Sequence, residues 1–231
     1  MIKPEDIWIV IPAYNEGPAV GEVVRRIRSC GYPHVLVVND GSTDNTKEEA
    51  TRAGARVVSH LVNRGAGAVT QTGIALARRE GVSYIIQLDA DGQHYPEDIS
   101  RLVKAMSAAD CDIIIGSRFM DKSEGVPAIR VVYNSISNVF TNWFCHTWYS
   151  DTQSGFRMLN RRAIEHLNLR LDGFGYCSEM IVQAEQWGLM ILEVPIRVQY
   201  TAYSMSKGQD LHTGIITALN LLWKLVFYPK H

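Results

Sequence analysis

Short apolar runs rich in isoleucine and valine alternate with stretches of helical spacing, and this alternation narrows the fold more than any other feature. The runs are IWIVIP (7–12), VLVVN (35–39), RVVSHL (56–61), YIIQLD (84–89) and DIIIGS (112–117). Continuous apolar runs bounded by turn residues suit strands covered on both faces. Between them, AVGEVVRRIRSCG (19–31), DNTKEEATRAG (44–54), GAVTQTGIALARREG (67–81) and PEDISRLVKAMSAA (96–109) have helical spacing. Three of these close on Gly31, Gly54 or Gly81, placed where a helix hands over to a left-handed residue. The βαβαβαβ rhythm predicts an α/β domain with a mostly parallel sheet flanked by helices.

After Ser117 the rhythm changes. Residues 119–130 mix Gly, Pro and charge and read as a loop, and a helix dense in aromatics follows, with Tyr133, Phe140, Trp143, Phe144, Trp148 and Tyr149. Then come a helix from about Arg161, another over Cys177–Trp187, a strand MILEVP (190–195), a polar loop 201–210 and a last helix 213–227. That last helix carries one narrow polar stripe of Thr213, Thr217, Asn220 and Lys224, with the rest apolar. A helix so broadly apolar must bury most of its surface, against a bilayer, the catalytic core or a second subunit. With no repeat or linker in view, the simplest organisation is one domain over 1–231, with a ligand-binding half 1–118 and an elaborated half 119–231.

Bulk properties remove several function classes. A net charge of −1 offers no polyanion-binding surface, which argues against a nucleic-acid role. Cys30, Cys111, Cys145 and Cys177 form no paired C-x-x-C and read as small buried hydrophobes in a reducing compartment. The opening MIKPEDIWIVIPAYNE reads as a first core strand and not as a signal peptide. No run approaches the roughly 20 apolar residues that span a bilayer.

In open α/β sheets, ligands sit beyond the carboxyl ends of the strands. Three such ends are chemically loaded: Pro12-Ala13-Tyr14-Asn15-Glu16, Asn39-Asp40-Gly41-Ser42 and Asp89-Ala90-Asp91-Gly92-Gln93. Gly92 permits a turn that brings both carboxylates of the third round one hard cation, with the Gln93 carbonyl oxygen as a further ligand. Oxygen-only ligation by few protein groups suits Mg²⁺ or Mn²⁺ and leaves room for diphosphate oxygens. The plainer alternative is an Asx-turn ahead of the next helix. Tyr14 offers a flat face to a base, and Glu16 and Asp40 offer carboxylates to base or ribose donors; both acids also suit helix caps and first turns. Gly65-Ala66-Gly67 lacks the third glycine of a dinucleotide fingerprint, and Asn63-Arg64-Gly65 reads instead as a loop near the nucleotide.

In this order and at these intervals, PAYNE (12–16), VVNDGSTDNT (37–46), NRGAGAV (63–69), LDADGQH (88–94), GSRF (116–119) and SGFRML (154–159) resemble the family 2 glycosyltransferases of GT-A fold. The likeness is greatest to the dolichyl- and polyprenyl-phosphate sugar synthases, of the dolichyl-phosphate mannosyltransferase type, and covers nearly the whole chain. The resemblance implies that Pro12, Ala13, Tyr14, Glu16, Val38 and Asp40 hold the nucleoside. It implies that Asp89, Asp91 and Gln93 hold the metal beside Ala90, that Arg118 lies near sugar and phosphates, and that Lys207 belongs to a late basic motif. Asp151 falls where related enzymes carry an acid suggested as general base, and equally suits a helix or turn cap; Arg157 and Lys207 could pair with an acceptor phosphate, Arg157 being otherwise an ordinary surface or structural arginine. An arginine of the mannosyltransferase pattern is replaced by Thr201, for which Arg197 is the nearest substitute.

The function so implied is metal-dependent, inverting transfer of a hexose from a nucleotide sugar, GDP-mannose first, to a dolichyl or polyprenyl phosphate. It would take place at the cytoplasmic face of a membrane, with the membrane surface, a membrane protein or a second copy as partner. The alternatives are a transferase using a UDP-hexose and a hydroxyl acceptor, a sugar-1-phosphate nucleotidyltransferase, and a non-catalytic nucleotide-sugar binder. PAYNE lacks the glycine-rich basic loop that a nucleotidyltransferase would need after its first strand.

Overall fold

The computed structural model describes residues 2–120, 135 and 137–206. Lys207, the helix expected at 213–227, Tyr133 and the 121–130 part of the expected loop lie outside the described residues.

Strands β1 (Ile7–Ala13), β2 (Val35–Asn39), β3 (Arg56–Ser59), β4 (Tyr84–Gln87), β5 (Ile113–Ser117), β6 (Arg157–Asn160) and β7 (Ile191–Pro195) form one sheet. Their order is β3-β2-β1-β4-β6-β5-β7. All neighbours are parallel except β6, which runs antiparallel between β4 and β5. The expected strands are present with small shifts at their ends. β6 is not among the expected strands: its first three residues lie in the SGFRML motif and Asn160 just beyond it.

Helices α1 (Gly17–Ser29) and α4 (Ile99–Ala108) cover one face, closing a core with Ile7, Ile9, Ile11 and Phe156. On the other face α3 (Ala66–Arg79), α5 (Arg161–His166) and α6 (Tyr176–Gln186) pack on Val10, Leu36, Val38 and Leu159. This two-sided cover is why every residue of β2 and β5 is buried. The short α2 (Thr46–Arg52) lies against α1 and β3. The three expected helix-ending glycines all take positive φ, between 71 and 94°.

Two expectations are corrected. β3 stops at Ser59, so His60 and Leu61 belong to the following loop. The segment read as a loop from 201 opens instead with helix α7 (Ala202–Ser206). The Ser204 amide donates to Thr201 Oγ1 at 3.0 Å and the Thr201 amide to Ser204 Oγ at 3.0 Å, a reciprocal cap. Thr201 therefore starts a helix at the place of the family's arginine.

Candidate active site

The carboxyl ends of β1, β2 and β4 lie side by side, and the polar motifs after them bind one another. Asn15 has φ 52°, and its amide donates to Ser42 Oγ at 2.9 Å. The Glu16 amide donates to Thr46 Oγ1 at 2.7 Å and the Gly17 amide to Asp44 Oδ2 at 3.0 Å. Ser42, Asp44 and Thr46 of the NDGSTDNT run thus fix the backbone of the PAYNE turn. Tyr14 is left 44% exposed and able to meet a base. Glu16 is buried and accepts a hydrogen bond from Tyr203 Oη at 2.6 Å, which ties α7 to the turn. Val38 and Ala13 are buried in the two cores, so only their backbone can face a nucleoside. Asp40 is 2% exposed, and its carboxylate accepts from His60 Nδ1 and from the amides of Arg64 and Gly65.

Beyond β4, Asp89 and Asp91 occupy a single turn that Gly92 closes with φ 74°. Asp89 lies 3.3 Å from His94 Nε2, and His94 stacks at a tilt on Phe156. Gly155 of SGFR packs so close to the Asp89 carboxylate that a Cβ there would overlap both oxygens. Asp91 accepts from the Gln93 amide at 2.9 Å and from Gln93 Nε2 at 2.6 Å. Gln93 Nε2 also lies 3.3 Å from the Ser204 carbonyl, so two acceptors fix the side chain with its nitrogen towards Asp91. The contacts seen make Gln93 a tie that orients Asp91.

Burial, and then the Asp89 charge, raise the proton affinity of Asp91. For Asp89 burial works in the same direction, but His94, Arg118 and Arg157 outweigh it and the net shift is downward. Two carboxylates held together in this way would gain from a divalent cation between them. Among the described residues no cluster of three or more His, Cys, Asp or Glu forms a closed cage. A two-carboxylate donor set fits a Mg²⁺- or Mn²⁺-type ion that keeps positions open for phosphate oxygens.

Arg118, after β5, completes the edge. Its Nε and one terminal nitrogen donate to the two oxygens of Asp151 at 2.7 Å each, and its amide donates to Oδ2 at 3.0 Å. Burial opposes the guanidinium charge, but Asp151 more than offsets this and keeps Arg118 protonated. Asp151 is fully buried, and its own amide donates to Glu193. Arg157 is also fully buried and donates to the carbonyls of Ser154, Cys177 and Thr152. Of the two readings of Arg157, a phosphate partner or a structural arginine, these contacts fit the second: its guanidinium is spent on backbone beneath the site. Arg197 is likewise committed, to buried Asp98 at 2.7 Å, and does not stand in for the arginine missing at Thr201.

The sequence profile described as "Glycosyl transferase family 2" matches residues 8–167. The chain belongs to glycosyl transferase family 2. It is 31% identical to a UDP-N-acetylglucosamine–dolichyl-phosphate N-acetylglucosaminyltransferase of Methanococcus voltae, over 94% of each chain. It is 33% identical to a polyprenol monophosphomannose synthase of Mycolicibacterium smegmatis, covering 86% of this chain and 79% of the relative. Among solved structures it resembles glucosyl-3-phosphoglycerate synthase from Mycobacterium tuberculosis in complex with Mn²⁺ and UDP-glucose. The TM-score is 0.73 at 18% identity, covering 96% of this chain and 78% of that one. The fold is the expected GT-A type, a mostly parallel sheet flanked by helices, and the chain is a glycosyltransferase.

Sequence reasoning missed several residues of this family 2 site. His94 stood inside the quoted LDADGQH run and was given no part; Gly155 stood inside SGFR. His60 was hidden by a strand drawn two residues too long. Tyr203 and Gln199 sat in and beside a segment read as loop, yet Gln199 donates to the Gly92 carbonyl at 2.9 Å and helps close the Asp89–Gly92 turn.

Proposed function

We propose that this enzyme transfers a hexose from a nucleotide sugar to a polyprenyl or dolichyl phosphate with inversion, and that Asp89 and Asp91 hold a Mg²⁺ or Mn²⁺ ion under the diphosphate. In this reading Pro12, Ala13, Tyr14, Glu16, Val38, Asp40 and Ala90 frame the nucleoside side, and residues 119–206 supply much of the acceptor side. The bound ion supplies positive charge against the diphosphate. Arg118, kept protonated by Asp151, adds a second positive charge beside it, where negative charge builds on the leaving group.

The observation that carries the acceptor is the state of Asp151. With three hydrogen bonds from Arg118 and no exposure, its carboxylate is ill placed to take a proton. A hydroxyl acceptor needs such a base, whereas a phosphate monoester, with a second pKa of about 6, is already anionic. The site therefore favours a phosphate nucleophile. The names of both relatives given above print a polyprenol or dolichyl phosphate product or acceptor, which supports the same choice.

A lipid acceptor brings the enzyme to a membrane surface, here the cytoplasmic face. Among the described residues no helix is long and apolar enough to cross a membrane. The helical stretch at 137–142 turns Asn138, Thr141 and Asn142 inward and leaves Val139, Trp143 and, beyond it, Trp148 exposed. Exposed indoles of this kind suit the headgroup layer.

GDP-mannose is the first donor to test and a UDP-hexose the second, since one relative's name prints mannose and the other's a UDP-sugar. Radiolabelled transfer from each donor, with Mn²⁺, to polyprenyl phosphate and to an oligosaccharide decides the reading. Lipid-phosphate product is expected, abolished by Asp89→Asn or Asp91→Asn. Transfer to the oligosaccharide alone would overturn the acceptor, and activity surviving both substitutions would overturn the metal site.

A further inference from the structure

The Asp40 carboxylate is held by three donors from the segment that follows β3. Oδ1 lies 2.7 Å from His60 Nδ1 and accepts the Arg64 amide at 3.0 Å; Oδ2 accepts the Arg64 amide at 3.1 Å and the Gly65 amide at 2.6 Å. Three donors, one of them shared between both oxygens, thus fill most of the roughly four acceptor positions that a carboxylate offers. His60 Nδ1 must be the donor, because an ionised carboxylate only accepts. The other ring nitrogen lies 2.9 Å from Thr72 Oγ1 on α3. A polar chain therefore runs from the Arg64–Gly65 backbone through Asp40 and His60 to Thr72.

This chain holds a loop that has little else to hold its tip. Leu61 is 100% exposed and Val62 65%, so no apolar packing fixes the apex of residues 60–65. The loop is instead wedged by backbone. Gly41 meets Val62 and Asn63 with no room for a Cβ, and Gly65 meets Asp172 in the same way. Between these wedges, the contact from His60 fixes the angle at which Asp40 presents its oxygens to the two amides.

We propose that His60 is a positioning residue for the donor: through Asp40 it sets the 60–65 loop at the rim of the nucleoside pocket, and so sets nucleotide affinity. This rests on the reading that the donor's nucleoside binds at this sheet edge.

Asparagine and glutamine separate the two halves of the imidazole. His60→Asn places an amide nitrogen where Nδ1 stands and keeps the bond to Asp40. His60→Gln places one where Nε2 stands, keeping Thr72 and losing Asp40. The test uses the full chain with Mn²⁺, titrated with UDP and with GDP by calorimetry, alongside hydrogen exchange at the Arg64 and Gly65 amides. His60→Gln should weaken binding of the preferred nucleotide about tenfold and speed that exchange comparably, the scale of one lost charge-assisted hydrogen bond. His60→Asn should stay within about threefold of wild type on both readouts, because it keeps that bond.

Equal, wild-type-like affinity in the two variants would overturn the assignment while leaving the donor site intact. Faster exchange with unchanged affinity would overturn the link from the loop to the donor. A wild-type chain that binds neither nucleotide would overturn the donor-site reading and this inference with it. Should His60→Gln fail to fold, His60→Ser, a smaller side chain that also gives up the bond to Asp40, decides instead: unchanged affinity and exchange there overturn the proposal.

Discussion

Asp151 and Arg118 are both buried, and the pair is bidentate, with a third bond from the arginine's own amide. Removing one partner of such a pair leaves an uncompensated buried charge, which costs about 3–5 kcal/mol. Asp151→Asn keeps the shape but removes the counter-charge, so a loss of about 3 kcal/mol is expected in urea denaturation, at the low end of that range. A residue whose only part was to accept a proton would leave stability within about 0.5 kcal/mol when changed to Asn. Stability thus separates the clamp from the base even before activity is measured. At this scale the motif residues were legible because each carries unusual chemistry at a strand end. Their partners were not. Arg118 precedes Asp151 by 33 residues, and Glu16 precedes Tyr203 by 187, and a single sequence holds no trace of such pairings. For Arg157 the sequence left a phosphate ligand and a structural arginine both open, and only the three carbonyls around it favour the second.

Among the elements, the α/β alternation was readable because the central strands β1, β2, β4 and β5 are largely buried on both faces while the helices between them carry an exposed side, so period distinguishes them. β6 escaped because a four-residue strand opening on a buried arginine has no apolar run to show. The helical stretch at 137–142 shows a different limit. Its aromatics gave away a helix, but the face that packs inward is polar: Asn138 bonds to Ser150 and Thr152, and Thr141 to Ser178. Periodicity finds an apolar face and says nothing of which way it points. An outward apolar face is costly to keep in water and would gain by burial in a lipid interface. Trp143 and Trp148 are 83% and 69% exposed and make no part of the core, so replacing both with serine should leave the fold intact. Flotation with vesicles containing polyprenyl phosphate should then show a loss of bound protein of about tenfold, since burying each indole is worth on the order of 1–2 kcal/mol even when partial. Undiminished flotation by the double variant would remove this surface from the membrane contact.

For the molecule as a whole, the site is a seam. The β1, β2 and β4 ends come from the first half of the chain, while Arg118–Asp151, Gly155 and the 198–204 segment come from later. Gln199 donates to the Gly92 carbonyl and its amide to the Gln93 carbonyl, and His94 bridges to Val198, so the late segment is stitched directly onto the Asp89–Gly92 turn. Ligand binding at a seam should stabilise both halves together, because the native state alone assembles the site. At nucleotide sugar one hundred times its dissociation constant the gain is about 2.7 kcal/mol. For a chain of this size each kcal/mol moves the midpoint by roughly 2–4 °C, so a rise of about 5–10 °C is expected from the cognate donor with Mn²⁺. Chelation by EDTA should abolish most of it, and Asp89→Asn and Asp91→Asn should respond to neither donor nor metal. The comparison across GDP- and UDP-sugars then identifies the donor by the largest shift. A full shift in both Asn variants, or an equal shift with EDTA present, would show that the nucleotide binds without the carboxylate pair.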